Sequence, residues 1–463
     1  MEKVEFEPTA STQAVDPDEK EVESQEVHPV PSAAPAFPEG GLAGWLTVIG
    51  GSLVLFCTFG AVQSFGVYQD YYTRIYLAGT STPSQVSWIG SVQVFLLFAL
   101  SLPAGKLFDE GYFHPIMISA SILYVVSFFM LSLAHSHEYY QIILSQGVAV
   151  GLAYGILFIP ALSISSHYFG SSLGGVIYPI MLNQMFNGKA GFVWGVRAVA
   201  LLGLFLLTIA NLLMRTRLPG RKHRKTTFTP SIRRVITDVP FMLCAIGLVS
   251  PPFPFLGTVV AFAHHLAVFY LQLYANVHGV SPNIAHYTIS IMNGASLFGR
   301  TIPNFLSDVW GVFNGAFFLP QFRCCLSAIV LTPSSRHRPV IIPMTAISGC
   351  LIFAMFGATS NGALIAFAIF YGFFSGGFIS LIAPCAASFS VDVGEVGTRI
   401  GVACFIVGFA LLTGNPISGA LLKSPHYEWQ NPILFSSITV LAGSATLLLS
   451  RQLAAKARGT QKL

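Results

Sequence analysis

Apolar runs of about twenty residues recur along this chain, separated by short polar breaks that often carry glycine or proline. A helix needs about 20 apolar residues to cross roughly 30 Å of hydrocarbon. The pattern predicts twelve such spans: 45–68, 86–107, 116–134, 141–163, 170–186, 194–213, 239–275, 284–306, 341–358, 363–383, 400–421 and 432–450. Gly151, Pro160, Pro179 and Gly376 fall inside runs, where neighbouring helices satisfy the backbone groups they free. Three stretches break the rhythm. The fifth span is short, reaching about 25 Å at 1.5 Å per residue, and Asn183 and Gln184 cut its apolar part further. Residues 239–275 are too long for one straight helix and contain Pro251, Pro252 and Pro254, so one span behind an irregular extension is expected. Residues 314–339 imitate a span between 316 and 332 and are expected not to cross, because crossing would invert the rest of the topology.

Composition agrees with a membrane bundle. The chain is 53% hydrophobic and 9% charged, whereas soluble domains carry about a quarter charged residues. A soluble enzyme, a secreted disulfide scaffold and a wholly disordered protein are thereby excluded. Ten of the 19 acidic residues lie in the first 40 positions, a segment rich in Pro, Ser and Glu that reads as a disordered acidic cytosolic tail (1–40) without a secretory signal. The seven cysteines fall mostly within apolar runs and show no zinc spacing, so they read as small apolar helix residues.

Lysine and arginine set the orientation. Arg215, Arg217, Arg221, Lys222, Arg224, Lys225, Arg233 and Arg234 crowd one loop, Arg323, Arg336 and Arg338 another, and Arg451, Lys456, Arg458 and Lys462 the C-terminus. The opposite loops show only Arg74, Lys189 and Lys423. The positive-inside rule then makes both termini and the central loop cytoplasmic. The expected organisation is a six-helix half (41–213), a basic linker (214–238), a second six-helix half (239–450, holding the non-spanning insertion 314–339) and a basic tail (451–463). The linker also suits anionic membrane lipid. Plasma membrane is the default expectation, with a vacuolar or other internal membrane as the alternative.

A short motif repeats between the halves. Gly105-Lys-Leu-Phe-Asp109-Glu-Gly111 follows the second span, and Asn304-Phe-Leu-Ser-Asp308-Val-Trp-Gly311 follows the eighth. Recurrence at matching places is the repeat logic of secondary transporters. These stretches, with 38–45 entering span one, Gln146-Gly-Val-Ala-Val-Gly-Leu-Ala-Tyr-Gly155, Ser172-Leu-Gly-Gly-Val-Ile-Tyr-Pro179, Phe298-Gly-Arg-Thr-Ile-Pro-Asn-Phe-Leu306 and Gly394-Glu-Val-Gly-Thr-Arg399, resemble the major facilitator superfamily. The similarity is to its monocarboxylate-transporter-like branch, nearest the fungal members, over about residues 40–450. It implies an all-α membrane protein of about twelve helices in two pseudo-symmetric halves, with a shortened fifth helix and a binding site between the halves. Gly105, Asp109, Gly111, Asp308 and Gly311 take the place of its conformational-switch motif. In proton-coupled members, span eight carries an aspartate four residues before an arginine, and span one a lysine. Arg300 matches the arginine, Ser296 stands at the aspartate position and Gln63 at the lysine position.

Arg300 is informative without the resemblance. An arginine within a span costs about 2.5–3.5 kcal/mol on insertion scales, so it faces a partner or a wet cavity. Asn293, Ser296, Arg300 and Asn304 recur at helical spacing on one face, and no acid falls inside a predicted span. Arg300 therefore either receives a carboxylate cargo, with Gln63, Asn293 and Ser296 orienting it, or pairs with Asp109, Asp308 or backbone carbonyls. Gln63, Asn183, Gln184, Asn293 and Asn304 serve equally well as interhelical glue. Phe59, Phe65, Tyr68, Phe298 and Tyr371 are candidates for an apolar cavity wall. No phosphate loop, nucleophile elbow or metalloprotease helix occurs, so neither an enzyme nor a cofactor is expected. The leading expectation is a transporter of a small organic anion, with protons as a candidate co-substrate and nucleic acid excluded as a partner. The alternatives are a carrier of a larger or neutral solute, such as a vitamin or secondary metabolite, and a non-transporting sensor or decayed paralogue.

Overall fold

The computed structural model describes residues 41–162, 167–214, 232–247, 260–310, 341–389, 396–423 and 427–458. Twelve long helical stretches dominate these residues: α1 (Gly44–Tyr76), α2 (Pro83–Ala99, continued by Ser101–Asp109), α3 (Phe113–Ser132), α4 (Tyr139–Ile142 through Val150–Leu162), α5 (His167–Phe186), α6 (Gly191–Leu213), α7 (Val260–Val277), α8 (Pro282–Trp310), α9 (Ile341–Ala354), α10 (Asn361–Ser388), α11 (Val396–Leu421) and α12 (Gln430–Arg458).

Hydropathy and structure agree along most of the chain, and the differences have physical causes. The first span was expected to end at Tyr68, but α1 runs on to Tyr76. Its last turns read as a loop because Gln69, Asp70 and Thr73 are polar, yet all three are buried in the fold. The fifth helix starts at His167, three residues before the expected Gly170. Over 239–275, where one span behind an irregular extension was expected, the start of the extension is helical: helix Val239–Gly247 precedes α7, and the residues between them lie outside those described. The first piece is held by Ser450 Oγ donating to the Pro240 carbonyl at 2.8 Å, beside the buried thiols of Cys244 and Cys385, 3.4 Å apart. Residues 314–339 also lie outside the described set.

The helices alternate between two ends of the bundle. One, here the far end, gathers the turns 77–82, 133–138, 187–190, 278–281 and 358–360. His137 N–H donates to the Tyr76 carbonyl there at 3.1 Å, and Ser281 N–H to Asn361 Oδ1 at 3.1 Å. The other, the linker end, holds the start of α1, the end of α6, the end of α8 and the start of α9. At the far end, Thr82 caps α2 in a reciprocal box with Gln85, and Pro83 occupies the first turn, where a missing N–H costs nothing.

Glycines bring helices together. A Cβ on Gly174 of α5 would lie 2.6 Å from the Phe56 carbonyl oxygen and 2.9 Å from Gly60 Cα of α1. A Cβ on Gly376 of α10 would lie 2.7 Å from the Ser296 carbonyl oxygen of α8. Such backbone approach lets dispersion hold helices together where hydrocarbon removes the hydrophobic drive.

Eight helices among the described residues are long and apolar enough to span a bilayer. α5 and α8 are long but fall short on hydropathy, and they pack against one another. Asn183 and Ser171 of α5 and Ser290, Asn293 and Arg300 of α8 lie in that seam, which lowers the hydropathy of both helices without exposing those groups to lipid.

Candidate functional site

The seam between α5 and α8 is an antiparallel zipper whose rungs descend one helix as they climb the other. Asn183 Nδ2 donates to the His286 carbonyl at 2.9 Å, Ser290 Oγ to the Val176 carbonyl at 3.1 Å, and Asn293 Nδ2 to the Gly175 carbonyl at 2.9 Å. Arg300 Nη1 donates to Ser171 Oγ at 2.6 Å. Asn293 and Arg300 stand two turns apart and therefore share a face. Gly175 is required opposite Asn293, since a Cβ there would lie 2.8 Å from the amide carbon.

α1 completes the site. Its hydrogen bonding changes at Phe56–Gly60, a π-turn, and is interrupted at Gln63 and Ser64 before helix resumes at Phe65. π-turns and breaks of this kind re-aim side chains. Gln63, buried at the break, points its amide at Asn293 Oδ1, 3.4 Å away. One π-turn earlier, Phe59 lies under the guanidinium of Arg300, 5.5 Å from ring centroid to Cζ, and stacks on Phe158 of α4 at 6.0 Å. Arg300 is 1% exposed. The structure thus sets Gln63 against Asn293 and places Arg300 two turns further along the same face of α8, beside the Phe59 ring. That set can hold an oxygen acceptor on a partly apolar molecule.

The other expected residues fall elsewhere. Ser296 is buried on the α10 side of α8, and its hydroxyl donates to the Asn293 carbonyl of its own helix at 2.8 Å. Phe298 is 62% exposed on the outer surface, so it does not wall the site. Phe65 packs on Phe269 of α7 at 4.7 Å, and Tyr371 is buried against Phe367. Gly105 is half-buried in the tail of α2, Asp109 ends that helix, and Gly111 follows with φ +98°, a left-handed conformation that favours glycine. Asp308 falls on the last turn of α8, and Gly311 lies outside the described residues, as do the side chains of Asp109, Asn304 and Asp308.

A second polar cluster escaped the hydropathy reading, which placed no acid inside a span. Asp70 of α1 is 1% exposed. Its carboxylate accepts from Arg74 Nε and Nη2 at 2.6 Å each, from Gln272 Nε2 at 3.1 Å and from Asn276 Nδ2 at 2.9 Å. The acid and arginine four residues apart were the available signal, since that spacing makes a pair on a helix and not in a loop. A third set joins α2 to α7 and α11. Ser84 Oγ donates to the Pro416 carbonyl at 2.7 Å, Ser87 hydrogen-bonds Tyr270, and Asn415 Nδ2 reaches Ser91 Oγ at 3.4 Å.

No family model matches the chain. The aspyridones efflux protein of Emericella nidulans is 34% identical over 434 residues, covering 90% of this chain and 80% of its own length. The agnestins efflux protein of Paecilomyces divaricatus is 34% identical over 421 residues, covering 88% and 87%. An MFS-type transporter of Aspergillus niger is 31% identical over 442 residues, covering 92% of each. Among solved structures, the nucleoside transporter NupG superposes with a TM-score of 0.60 at 12% identity, over 88% of this chain and 99% of that one. A D-xylose-proton symporter gives 0.58 at 13% identity, over 88% and 95%. At such identities the likeness is one of fold, an all-helical twelve-span bundle.

Proposed function

This chain belongs to the major facilitator superfamily and is a multi-pass membrane transporter, and from that premise we propose that it exports an organic solute bearing a carboxylate or comparable oxygen acceptor. The observation that carries the proposal is Arg300, a buried cation where α8 meets α5 and α1, with the Gln63 and Asn293 amides on the same seam. Guanidinium and amide donors suit a planar oxygen acceptor, and Phe59 suits an apolar body attached to it.

Two relatives are named as efflux proteins for aspyridones and agnestins, which supports export and a secondary-metabolite cargo rather than a simple monocarboxylate such as lactate. The secondary-metabolite alternative therefore takes precedence over the small anion. The basic loops support a cytoplasmic linker end, so cargo enters at that end and leaves at the far end. By the resemblance to monocarboxylate-transporter-like members, Gln63 and Ser296 stand where the proton-coupled ones carry lysine and aspartate, and neither side chain titrates near neutral pH.

The test uses inside-out vesicles and a fluorescent aromatic carboxylate, its methyl ester and labelled lactate. The carboxylate is expected to accumulate and the ester to lag. Arg300→Ala should weaken carboxylate transport about 10- to 100-fold, from about 1.5–3 kcal/mol for a hydrogen bond to a charged group. Equal transport of acid and ester by correctly inserted protein would reject the acceptor role. Preference for lactate would restore the small-anion reading.

A further inference from the structure

The cluster around Asp70 lies in the last turns of α1, toward the far end, where it joins helices of both halves. Each of its contacts does one of two things. Arg74 grips both carboxylate oxygens, and because it stands four residues along α1 it travels with Asp70 wherever that helix goes. Gln272 and Asn276 reach the same carboxylate from α7, in the opposite half. Gln272 also forms a reciprocal amide pair with Asn183 of α5: Nε2 donates to Asn183 Oδ1 at 2.8 Å, and Asn183 Nδ2 returns a bond to Gln272 Oε1 at 3.1 Å. Asn183 further donates to the His286 carbonyl of α8. One network thus links four helices, two from each half: α1 and α7 meet at the buried carboxylate, and Asn183 extends the network from Gln272 to α5 and α8.

We propose that Asp70, Arg74, Gln272, Asn276 and Asn183 form the gate that closes the far end of the transport path, with Asp70 as its hub. The design separates charge from release. Parting the halves withdraws only neutral amides from Asp70, and those amides can hydrogen-bond to water once exposed. The ion pair stays whole on α1, so no carboxylate or guanidinium is stranded in either state. The Ser84, Ser87 and Asn415 contacts close the neighbouring α2–α11 edge, and Lys423–Glu428, an exposed pair on the same end, takes no part. The purpose of the gate rests on the transport reading. The contacts that close the far end do not.

The experiment is hydrogen–deuterium exchange of the full chain in lipid nanodiscs, comparing wild type with Gln272→Ala/Asn276→Ala. Backbone amides of the far-end turns 77–82, 187–190 and 278–281 should exchange at least about tenfold faster, a factor equal to about 1.4 kcal/mol, a typical value for lost hydrogen bonds. The linker-end turn 110–112 should exchange more slowly, because opening one end closes the other. Lys423→Ala should leave both ends unchanged. Asn183→Ala, which removes the amide pair between the halves while leaving Asp70 all its donors, provides the same reading if the double variant does not fold. Unchanged far-end turns in folded protein would overturn the gate. Uniformly faster exchange, including α3 and α6, would also overturn it, since that marks general loosening. A wild-type protein that shows the gate response yet carries no aromatic carboxylate would instead refute the cargo reading alone.

Discussion

Two glycines of α10, Gly362 and Gly376, offer a matched comparison. Replacing either with alanine changes intrinsic helix propensity in the same direction, by up to about 1 kcal/mol in favour of alanine. Their surroundings differ. A Cβ at Gly362 meets nothing within 4 Å. At Gly376 it would lie 2.7 Å from the Ser296 carbonyl oxygen and 2.8 Å from Ser296 Cα and Cβ. Those atoms are backbone or fixed to it, so no rotamer change relieves the contact. Restoring ordinary separation moves α8 and α10 apart by roughly 0.7 Å, and a gap of 0.5–1 Å forfeits a quarter to a half of each dispersion contact. Overpacking of this kind costs about 1–3 kcal/mol. After the full propensity gain, Gly376→Ala should be destabilised by up to about 2 kcal/mol, while Gly362→Ala should be neutral or slightly stabilised. The assay is thermal unfolding of both variants in one detergent at one scan rate, because unfolding of such proteins is commonly irreversible. An apparent midpoint for Gly376→Ala at or above that of Gly362→Ala would refute the argument that backbone contact sets the α8–α10 seam.

Three further outcomes rest on other contacts of the bundle. Ser171→Ala removes the hydroxyl at 2.6 Å from Arg300, so a carboxylate cargo that competes for that donor should bind tighter by up to about tenfold; weaker binding by equilibrium titration would contradict the competition. Asp238→Ala removes the 2.7 Å ion pair of Arg399, a 2%-exposed arginine whose guanidinium also lies 5.0 Å from the Phe241 ring, and should cost about 1–3 kcal/mol; adding Arg399→Met should recover part of the lost thermal midpoint, and additive losses would show that the pair is not coupled. Gly174→Ala should lower the midpoint as Gly376→Ala does, whereas Leu173→Ala, 44% exposed on the next position, should stay within about 0.5 kcal/mol of wild type by the same melt.

How much of this was legible depended on which solvent each helix meets. α3, α6 and α12 face lipid over much of their surface, and hydropathy placed their ends within a few residues, apart from the basic C-terminal turns of α12. α5 and the end of α1 meet other helices instead, so polar residues there report pairing rather than exposure. For that reason Asp70 looked like a loop acid and α1 was ended too early. Arg300 stood out because one cation in a long apolar sequence is conspicuous, whereas Ser171 did not, since its hydroxyl gains meaning only from the helix across the seam. Ser296 and Phe298 turn away from the α5 seam through a smaller effect. A stripe of residues three or four apart covers a broad arc, and whether a position turns to α5, α10 or lipid is decided by packing that sequence spacing does not contain.

The interruption of α1 at Gln63 and Ser64 has a mechanical consequence. Below it, the Gly60–Gly174 approach clamps the helix to α5; above it, Asp70 is tied to α7. A continuous rod would transmit any displacement of its upper end to the clamp. A jointed one lets the upper arm swing while the lower arm stays seated, and it places the Gln63 amide at the pivot. Spin labels on the two arms should therefore report a change in bend angle during turnover, with the lower arm fixed relative to α5.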